Sequence, residues 1–216
     1  MEVVTPEGEV VTLGGKLKKD STGYGLTQLM IGSEGTLGVV TKVYLKMVPR
    51  LQHVVDLLAI FPTLESAINI VAKVMQSPIN PLCVEFMDNK GIRCAEEFLH
   101  EKLPHSDKGY YIILSIDGNN EDVLCTANGA LEVLVADPVK IWKARKSFGE
   151  ANRARSLIFS AEDTVVPMSR IPDVVQKLSE LSEKYGVSIH IAAHAADGNI
   201  HADILKETMP LEKWLE

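Results

Sequence analysis

The chain has 216 residues, of which 46% are hydrophobic and 24% are charged, and its formal net charge is -7. This length and composition are sufficient for one large domain, or for one and a half small ones, with a packed core. The charge is spread along the chain without a basic block, so neither nucleic acid nor an anionic membrane surface is expected as a partner.

The cysteines and the apolar segments indicate the cellular compartment. Cys83, Cys94 and Cys125 are widely spaced and odd in number, which argues against a disulfide framework and against a thiolate zinc site. The longest apolar stretches have the length of strands, and no basic segment followed by an apolar run opens the sequence. We therefore expect a cytoplasmic protein that neither spans a membrane nor is secreted.

Residues 1–50 are predicted to be extended. The apolar segments 2–5 and 10–13 flank a turn that contains proline and glycine, which predicts a hairpin. A glycine-rich stretch, residues 21–38, leads to residues 39–47, which are apolar enough for a strand buried on at least one face. The pattern changes near residue 50, so we expect a domain boundary between residues 1–50 and 51–216.

Residues 51–216 alternate between predicted strands and amphipathic helices. The predicted strands are 54–61, 82–87, 110–116, 187–193 and 201–205. The predicted helices are one capped by Thr63, 92–103, one that begins at Asn120, 142–155 and 172–185. Residues 156–167 are predicted to be irregular. The pattern favours an α+β fold with helices on one face of a largely antiparallel sheet.

The glycine-rich stretch is the first candidate site. Gly32, Gly35 and Gly38 allow the backbone to approach a flat ligand and to take positive φ, so its N–H and C=O groups can bond the edge of a flavin ring. The spacing differs from the Gly-x-Gly-x-x-Gly of dinucleotide folds, and no Walker lysine follows it. The alternative is that these glycines serve turns and close strand packing.

The second candidate site is the histidine loop, residues 194–201. His194 and His201 bracket it at the end of a predicted strand, and both imidazoles could turn towards one metal ion such as zinc. Two ligands are few for tight binding, so histidines that only bond loop carbonyls are the alternative. His190 would lie about 13 Å from His194 along one strand, too far for a shared metal, and we interpret it as structural.

A group of basic residues is the third candidate site. Arg145 lies in a predicted helix, with Lys146, Arg153 and Arg155 nearby. A guanidinium can hold a carboxylate in a bidentate fork, and a 2-hydroxy acid would supply that carboxylate. The alternative is a solvated basic face of the helix.

Taken in order, three segments resemble those of the FAD-linked oxidase family, which includes D-lactate dehydrogenase, glycolate oxidase and D-2-hydroxyglutarate dehydrogenase. Residues 20–26 (DSTGYGL) with 31–41 (IGSEGTLGVVT) are similar to the family's second flavin segment. Residues 162–172 (EDTVVPMSRIP) resemble its cap signature, and the histidine loop resembles its metal and substrate loop. The resemblance covers nearly the whole chain.

The resemblance implies a fold and a set of roles. Residues 1–50 would be the end of a vanillyl-alcohol-oxidase-like FAD-binding domain, and residues 51–216 a ferredoxin-like α+β cap. The implied flavin contacts are Thr22, Gly23, Gly32, Ser33, Glu34, Gly35, Gly38, Val39 and Val40. The implied catalytic residues are Arg145, which would clamp the substrate carboxylate, Asn199 and His201, and the implied metal ligands are His194 and His201. The implied reaction is hydride transfer from Cα of a small D-2-hydroxy acid to FAD, with the electron acceptor left open.

Three departures from the family pattern concern the chain by itself. The family's pyrophosphate-binding loop and its third metal ligand, a glutamate followed by a catalytic histidine, have no counterpart in these 216 residues. Ala196 stands where glycine is usual, and alanine is tolerated there only at negative φ. We therefore expect an inactive fragment that binds FAD weakly, leaves the metal site without its metal and self-associates through the surface that would face the flavin domain.

Two alternative functions remain open at this point. One is a non-catalytic binding module that has the cap fold. The other is a metallohydrolase in which Asp197 or Asp203 completes a site with His194 and His201.

Overall fold

The computed structural model describes residues 1–17, 19–48, 54–77, 81–107, 109–117, 132–135 and 137–215. The chain forms two compact units, Met1–Arg50 and Leu51–Glu216, and each is described by itself. The helix predicted to begin at Asn120 lies outside the described residues.

The first unit is a small antiparallel sheet with one short helix. Its strands are β1 (Glu2–Val4), β2 (Val10–Thr12) and β3 (Val39–Lys42), in the order β2-β1-β3, and its helix is α1 (Leu26–Met30). The predicted hairpin is confirmed, because β1 and β2 pair antiparallel. Gly8 has a φ of 85° in the turn between them, a conformation that glycine takes at little steric cost.

The strand predicted over residues 39–47 is shorter and more exposed than predicted. β3 ends at Lys42, all four of its residues are exposed, and Met47 is 84% exposed. Among the described residues of this unit, Val3 is the one buried hydrophobic side chain. The prediction of a buried face was wrong because an apolar sequence favours burial, but only other parts of a protein can supply the cover.

The second unit contains a seven-stranded sheet in which all neighbouring strands are antiparallel. Its strands are β4 (Val54–Phe61), β5 (Cys83–Met87), β6 (Tyr110–Asp117), β7 (Glu132–Val135), β8 (Phe159–Val165), β9 (Ser188–His194) and β10 (Asn199–Leu205), in the order β7-β4-β6-β5-β9-β10-β8. This confirms the predicted α+β class with an antiparallel sheet.

The helices of the second unit connect these strands or follow them. They are α2 (Leu64–Gln76), α3 (Asn89–Leu99), α4 (Pro138–Lys146), α5 (Phe148–Arg155), α6 (Ile171–Tyr185) and α7 (Leu211–Leu215). The predicted cap of α2 is confirmed, since the Thr63 side chain accepts from the backbone N–H of Ser66. None of the described helices combines the length and the apolar character that a membrane crossing requires.

Helices cover both faces of the seven-stranded sheet, whereas the sequence pattern favoured one face. One face forms a core with α2 and α6, which includes Leu57, Val71 and Val175. The other face forms a core with α3, α4 and α5, which includes Leu58, Ile92, Ile141 and Phe148. β4 is apolar at almost every position, as is typical of a strand buried on both sides. Each buried side chain of this size contributes about 1.5–3 kcal/mol.

Two further local predictions were wrong. Residues 159–165 form β8, an edge strand that pairs only with β10, although the stretch was predicted to be irregular. Most of its residues are exposed, so it has no alternation of apolar and polar residues to reveal it. The single helix predicted over residues 142–155 is two helices, α4 and α5, which meet at Ser147.

A buried polar network joins α5 to β9 and β10. Asn152 is 0% exposed, and its Nδ2 donates to Oδ2 of Asp203 at 2.7 Å. Its Oδ1 therefore faces His190, whose Nδ1 lies 2.7 Å away and must donate. Nε2 of His190 then accepts from the Ser188 hydroxyl at 3.1 Å. These bonds engage both ring nitrogens of His190 within the fold, which agrees with its interpretation as a structural residue.

The network predicts a loss of stability in acid. Burial lowers the pKa of His190 from 6.5 to about 4, so the stability that its neutral form provides above pH 6.5 is lost as the pH falls towards 4. We expect this residue to lower the free energy of unfolding by on the order of 2 kcal/mol between pH 7 and pH 4.5. Urea titrations of the chain at both pH values measure it.

Two variants identify the residue responsible. His190→Gln should show a smaller change between the two pH values, whereas His100→Asn, at an exposed histidine, should retain the full change. An equal change in His190→Gln and in the unsubstituted chain would contradict the assignment.

Candidate functional site

Polar side chains from adjacent strands meet on the sheet face that α3, α4 and α5 cover. Glu85 of β5 is in register with His194 of β9, and His194 is in register with Asn199 of β10. Opposite residues of antiparallel strands point to the same face, as does His201, two residues after Asn199. α4 adds Arg145, which contacts Glu85. We call these five residues the polar cluster.

Glu85 is the centre of the polar cluster. Its side chain is 7% exposed, with Oε1 2.7 Å from Nδ1 of His194 and Oε2 accepting from Nε of Arg145 at 2.9 Å. A buried carboxylate is costly unless it is paired and hydrogen-bonded, and Glu85 is both. Glu85 is not among the residues that the sequence indicated as candidates. The sequence feature that could have indicated it is a charged residue between Val84 and Phe86 in an otherwise apolar strand.

Arg145 is buried in the last turn of α4, with its side chain 12% exposed. The alternative of a solvated basic face therefore does not hold for this residue. Nη2 lies 2.9 Å from Oε2 of Glu85 but makes no hydrogen bond to a described residue. This contact is therefore an ion pair with poor hydrogen-bond alignment, and the N–H groups of Nη2 remain available to a ligand.

The turn between β9 and β10 brings the two histidines of the loop together. The ring centroids of His194 and His201 lie 5.1 Å apart in an edge arrangement. Gly198 has a φ of 82°, and a Cβ there would lie 2.0 Å from the carbonyl oxygen of Val166, so the turn requires glycine at this position. Ala196 does not have a positive φ. A negative φ is the condition under which alanine is tolerated at this position.

Burial disfavours the charged form of His201. Desolvation lowers the pKa of His201 below its usual value of 6.5, and the carboxylate of Asp163 offsets part of that effect. Oδ1 of Asp163 lies 3.5 Å from Nδ1 of His201, which favours the ring proton on Nδ1. Nε2 then offers a lone pair that can accept a proton at neutral pH.

Two buried polar atoms of the cluster have no partner. In the part of the chain that the structure describes, Nη2 of Arg145 and Oδ1 of Asn199 are the buried side-chain nitrogen and oxygen atoms without a hydrogen bond. Native proteins leave few such groups unpaired. A hydrogen-bond acceptor would satisfy Nη2 of Arg145, and a hydrogen-bond donor would satisfy Oδ1 of Asn199.

The donor set for a metal ion is small. The described residues contain no group of three or more His, Cys, Asp or Glu side chains that could hold a metal. Asp203 accepts the hydrogen bond of Asn152, so it is engaged in the fold, and Asp197 is exposed in the turn. His194 and His201 are therefore two possible donors without a third among these residues.

The residues implied as flavin contacts all belong to the first unit. Gly32 and Gly35 have φ values of 81° and 80°, and a Cβ on either would meet no atom within 4 Å. Their backbone N–H groups make no hydrogen bond to a described residue, so this backbone is open to a ligand. Gly38 differs, because a Cβ there would lie 2.8 Å from the carbonyl oxygen of Val4. Its small size serves sheet packing, which was the alternative for the glycines.

The other implied flavin contacts lie at the surface. Ser33 is partly exposed, and the remaining five are exposed: Thr22, Gly23, Glu34, Val39 and Val40. Glu34 has a φ of 50°, which is uncommon for a residue with a side chain and shows that the backbone turns sharply between the two open glycines.

The fold defines an α+β domain with a polar cluster on one face of its sheet. The family model for the C-terminal domain of FAD linked oxidases matches residues 50–214. The chain therefore belongs to the FAD-linked oxidase family, as the three sequence segments indicated.

Curated relatives extend the match to the first unit. D-lactate dehydrogenase of Anaerostipes hadrus is 34% identical, over 93% of this chain and 46% of that protein. The glycolate oxidase subunit GlcD of Bacillus subtilis is 33% identical, over 93% of this chain and 45% of that protein. The chain thus spans about half the length of the curated relatives it matches.

Solved structures share the fold at low sequence identity. p-Cresol methylhydroxylase with substrate bound has a TM-score of 0.68 and 15% identity, over 99% of this chain and 52% of that chain. Alkyldihydroxyacetonephosphate synthase has a TM-score of 0.65 and 16% identity, over 94% of this chain and 44% of that chain. The chain therefore shares its fold with these two proteins.

The Arg145–Glu85 pair predicts a large effect of truncation. Arg145→Ala would leave the Glu85 carboxylate buried without its cation, and we expect the free energy of unfolding to fall by about 3–5 kcal/mol. Lys143→Ala is the control on the same helix, because its ion pair with Glu101 is partly exposed and contributes about 0–1 kcal/mol. Urea titration at pH 7 measures both, and equal losses would contradict the buried pair.

Proposed function

We propose that this chain is the cap side of an FAD-dependent oxidoreductase that oxidises a small D-2-hydroxy acid such as glycolate, D-lactate or D-2-hydroxyglutarate. The supporting observation is that Arg145 and Asn199, which share the polar cluster with two imidazoles, each have a buried atom that makes no hydrogen bond to a described residue. Relatives named D-lactate dehydrogenase and glycolate oxidase subunit GlcD add support. Because the chain spans about half of those relatives, we propose the activity for the protein as a whole and not for these residues alone.

Arg145 and Asn199 hold the substrate in this proposal. The carboxylate of the hydroxy acid accepts from Nη2 of Arg145, which is ion-paired with Glu85 but makes no hydrogen bond to a described residue. Oδ1 of Asn199 accepts from the hydroxyl group and completes its own hydrogen bonding. Two contacts on adjacent carbons orient Cα, which limits the substrates to acids with a hydroxyl group next to the carboxylate.

His201 is the proposed acceptor of the hydroxyl proton. Its lowered pKa keeps the imidazole neutral at pH 7, and its Nε2 is not held by a described residue. A neutral imidazole close to the hydroxyl group can take its proton as the C–H bond of the substrate breaks. The positive charge that forms on the ring is stabilised by Asp163, 3.5 Å from Nδ1.

The flavin contacts of the first unit remain a proposal. Gly32 and Gly35 present open backbone N–H groups, which suit the polar edge of an isoalloxazine ring. FAD supplies, when bound, the acceptor for the hydride that leaves Cα. We also propose that the exposed apolar residues of this unit pack against protein, either a further part of the same chain or a second copy.

A divalent metal such as zinc fits the cluster only in part. His194 and His201 would supply two nitrogen ligands, and a third ligand would have to come from outside the described residues. A metal held there would occupy Nε2 of His201, so it would ease the loss of the hydroxyl proton by polarising the hydroxyl group in place of proton transfer to that imidazole.

Turnover of 2-hydroxy acids by the FAD-loaded protein, with an artificial dye as electron acceptor, tests the proposed reaction. Arg145→Lys keeps the charge and loses the planar fork, so we expect KM for the acid to rise about 10-fold or more with a smaller change in kcat. Lys143→Arg on the same helix should leave both constants unchanged. Binding of the acid without dye reduction would favour the non-catalytic module instead.

The flavin role of Gly35 predicts a selective loss of FAD binding. Gly35→Ala and Gly8→Ala both place a side chain at a strained φ, 80° and 85°, where a Cβ meets no other atom. Their stability costs should therefore be similar, about 1–2 kcal/mol. We expect only Gly35→Ala to weaken FAD binding, by about 10-fold, in fluorescence titrations. Equal FAD affinity in the two variants would remove Gly35 from the flavin site.

A further inference from the structure

We propose that Glu85 is a positioning residue that fixes the tautomer of His194 and the orientation of Arg145 for the ligand of the polar cluster. The inference deepens the proposed function and rests on it for the identity of that ligand. The positioning itself rests on the contacts of Glu85, which do not depend on any bound group.

The two carboxylate oxygens of Glu85 have separate partners on separate elements. Oε1 lies 2.7 Å from Nδ1 of His194 on β9, and Oε2 accepts from Nε of Arg145 on α4 at 2.9 Å. Glu85 is 5% exposed, so water does not compete for either oxygen. Each partner therefore has one orientation in which the buried carboxylate is satisfied.

The contact with His194 decides which ring nitrogen carries the proton. An ionised carboxylate accepts hydrogen bonds and donates none, so the proton of a neutral His194 must lie on Nδ1. Nε2 then carries the lone pair, which is the form that binds a metal ion or accepts a proton. Among the described residues, Glu85 is the hydrogen-bond partner of that Nδ1, so it determines the tautomer.

The contact with Arg145 sets the plane of the guanidinium group. With Nε bonded to Oε2, the fork cannot turn freely, and the buried Nη2, ion-paired with the same oxygen, keeps N–H groups that make no hydrogen bond to a described residue. A fork that is fixed in advance loses less conformational entropy when it binds a carboxylate. One side chain thus aligns two groups that come from different elements of the fold.

Glu85→Gln separates positioning from a purely structural role. A glutamine amide has one acceptor oxygen and one NH2 donor, and Arg145 can only donate, so it takes the oxygen. The NH2 group must then face Nδ1 of His194, which has to become an acceptor. The proton of the imidazole therefore moves to Nε2, while the size of the buried side chain is unchanged.

Long-range 1H–15N correlation spectra of the histidine-labelled 216-residue chain, recorded at pH 7.5, report the protonated ring nitrogen. The signals of His194 are assigned by their loss in His194→Gln. We expect Nδ1–H in the unsubstituted chain and Nε2–H in Glu85→Gln. Glu101→Gln is the matched control, because it removes a carboxylate that also pairs with α4, through Lys143 at 2.7 Å, and should leave His194 unchanged.

Two results would overturn the proposal. One is an Nδ1–H tautomer in a folded Glu85→Gln variant, and the other is an Nε2–H tautomer in the unsubstituted chain, which needs no variant to fold. Failure of the proposed reaction is a separate result, because it appears as the absence of dye reduction by the unsubstituted FAD-loaded protein and does not alter the tautomer.

Discussion

The rest of the site depends on the burial of one carboxylate. Glu85 lies in β5, the central strand of the seven-stranded sheet, where its charge must be matched by a cation and by hydrogen bonds. That requirement ties α4 to the sheet through Arg145 and ties β9 to β5 through His194. Arg145, which contacts the proposed substrate, is thus positioned by a residue that need not touch the substrate.

The same sheet face combines a dry core with this polar region. Leu58 and its neighbours pack under α3, α4 and α5, and the network of Asn152, His190 and Asp203 joins α5 to the β9–β10 hairpin. His201 lies on that hairpin, two residues before Asp203. The fold therefore anchors the hairpin by fully paired groups, and among the described residues the buried side-chain atoms without a hydrogen bond lie where a ligand is proposed.

The two units contribute differently to a member of the FAD-linked oxidase family. The second unit has its own core on both faces of its sheet, so its site can be described from its own residues. The first unit buries little apolar surface and presents an open glycine backbone at Gly32 and Gly35. Its proposed role is to contribute to a flavin site that further protein completes.

The sequence alone determined the family, the α+β class and most strands and helices of the second unit, because periodicity and ordered motifs are local properties. It also indicated Arg145, His194, Asn199 and His201 as candidate site residues, and the structure brings these four together. The sequence could not give the helices on both sheet faces, the edge strand β8 or the shortness of β3, since these depend on what covers each residue. Nor could it select Glu85, whose register with His194 and contact with Arg145 join positions 60 and 109 residues apart. Only the tertiary structure brings Arg145 and His194 to the buried Glu85 carboxylate, where the cost of desolvation makes its pairing obligatory.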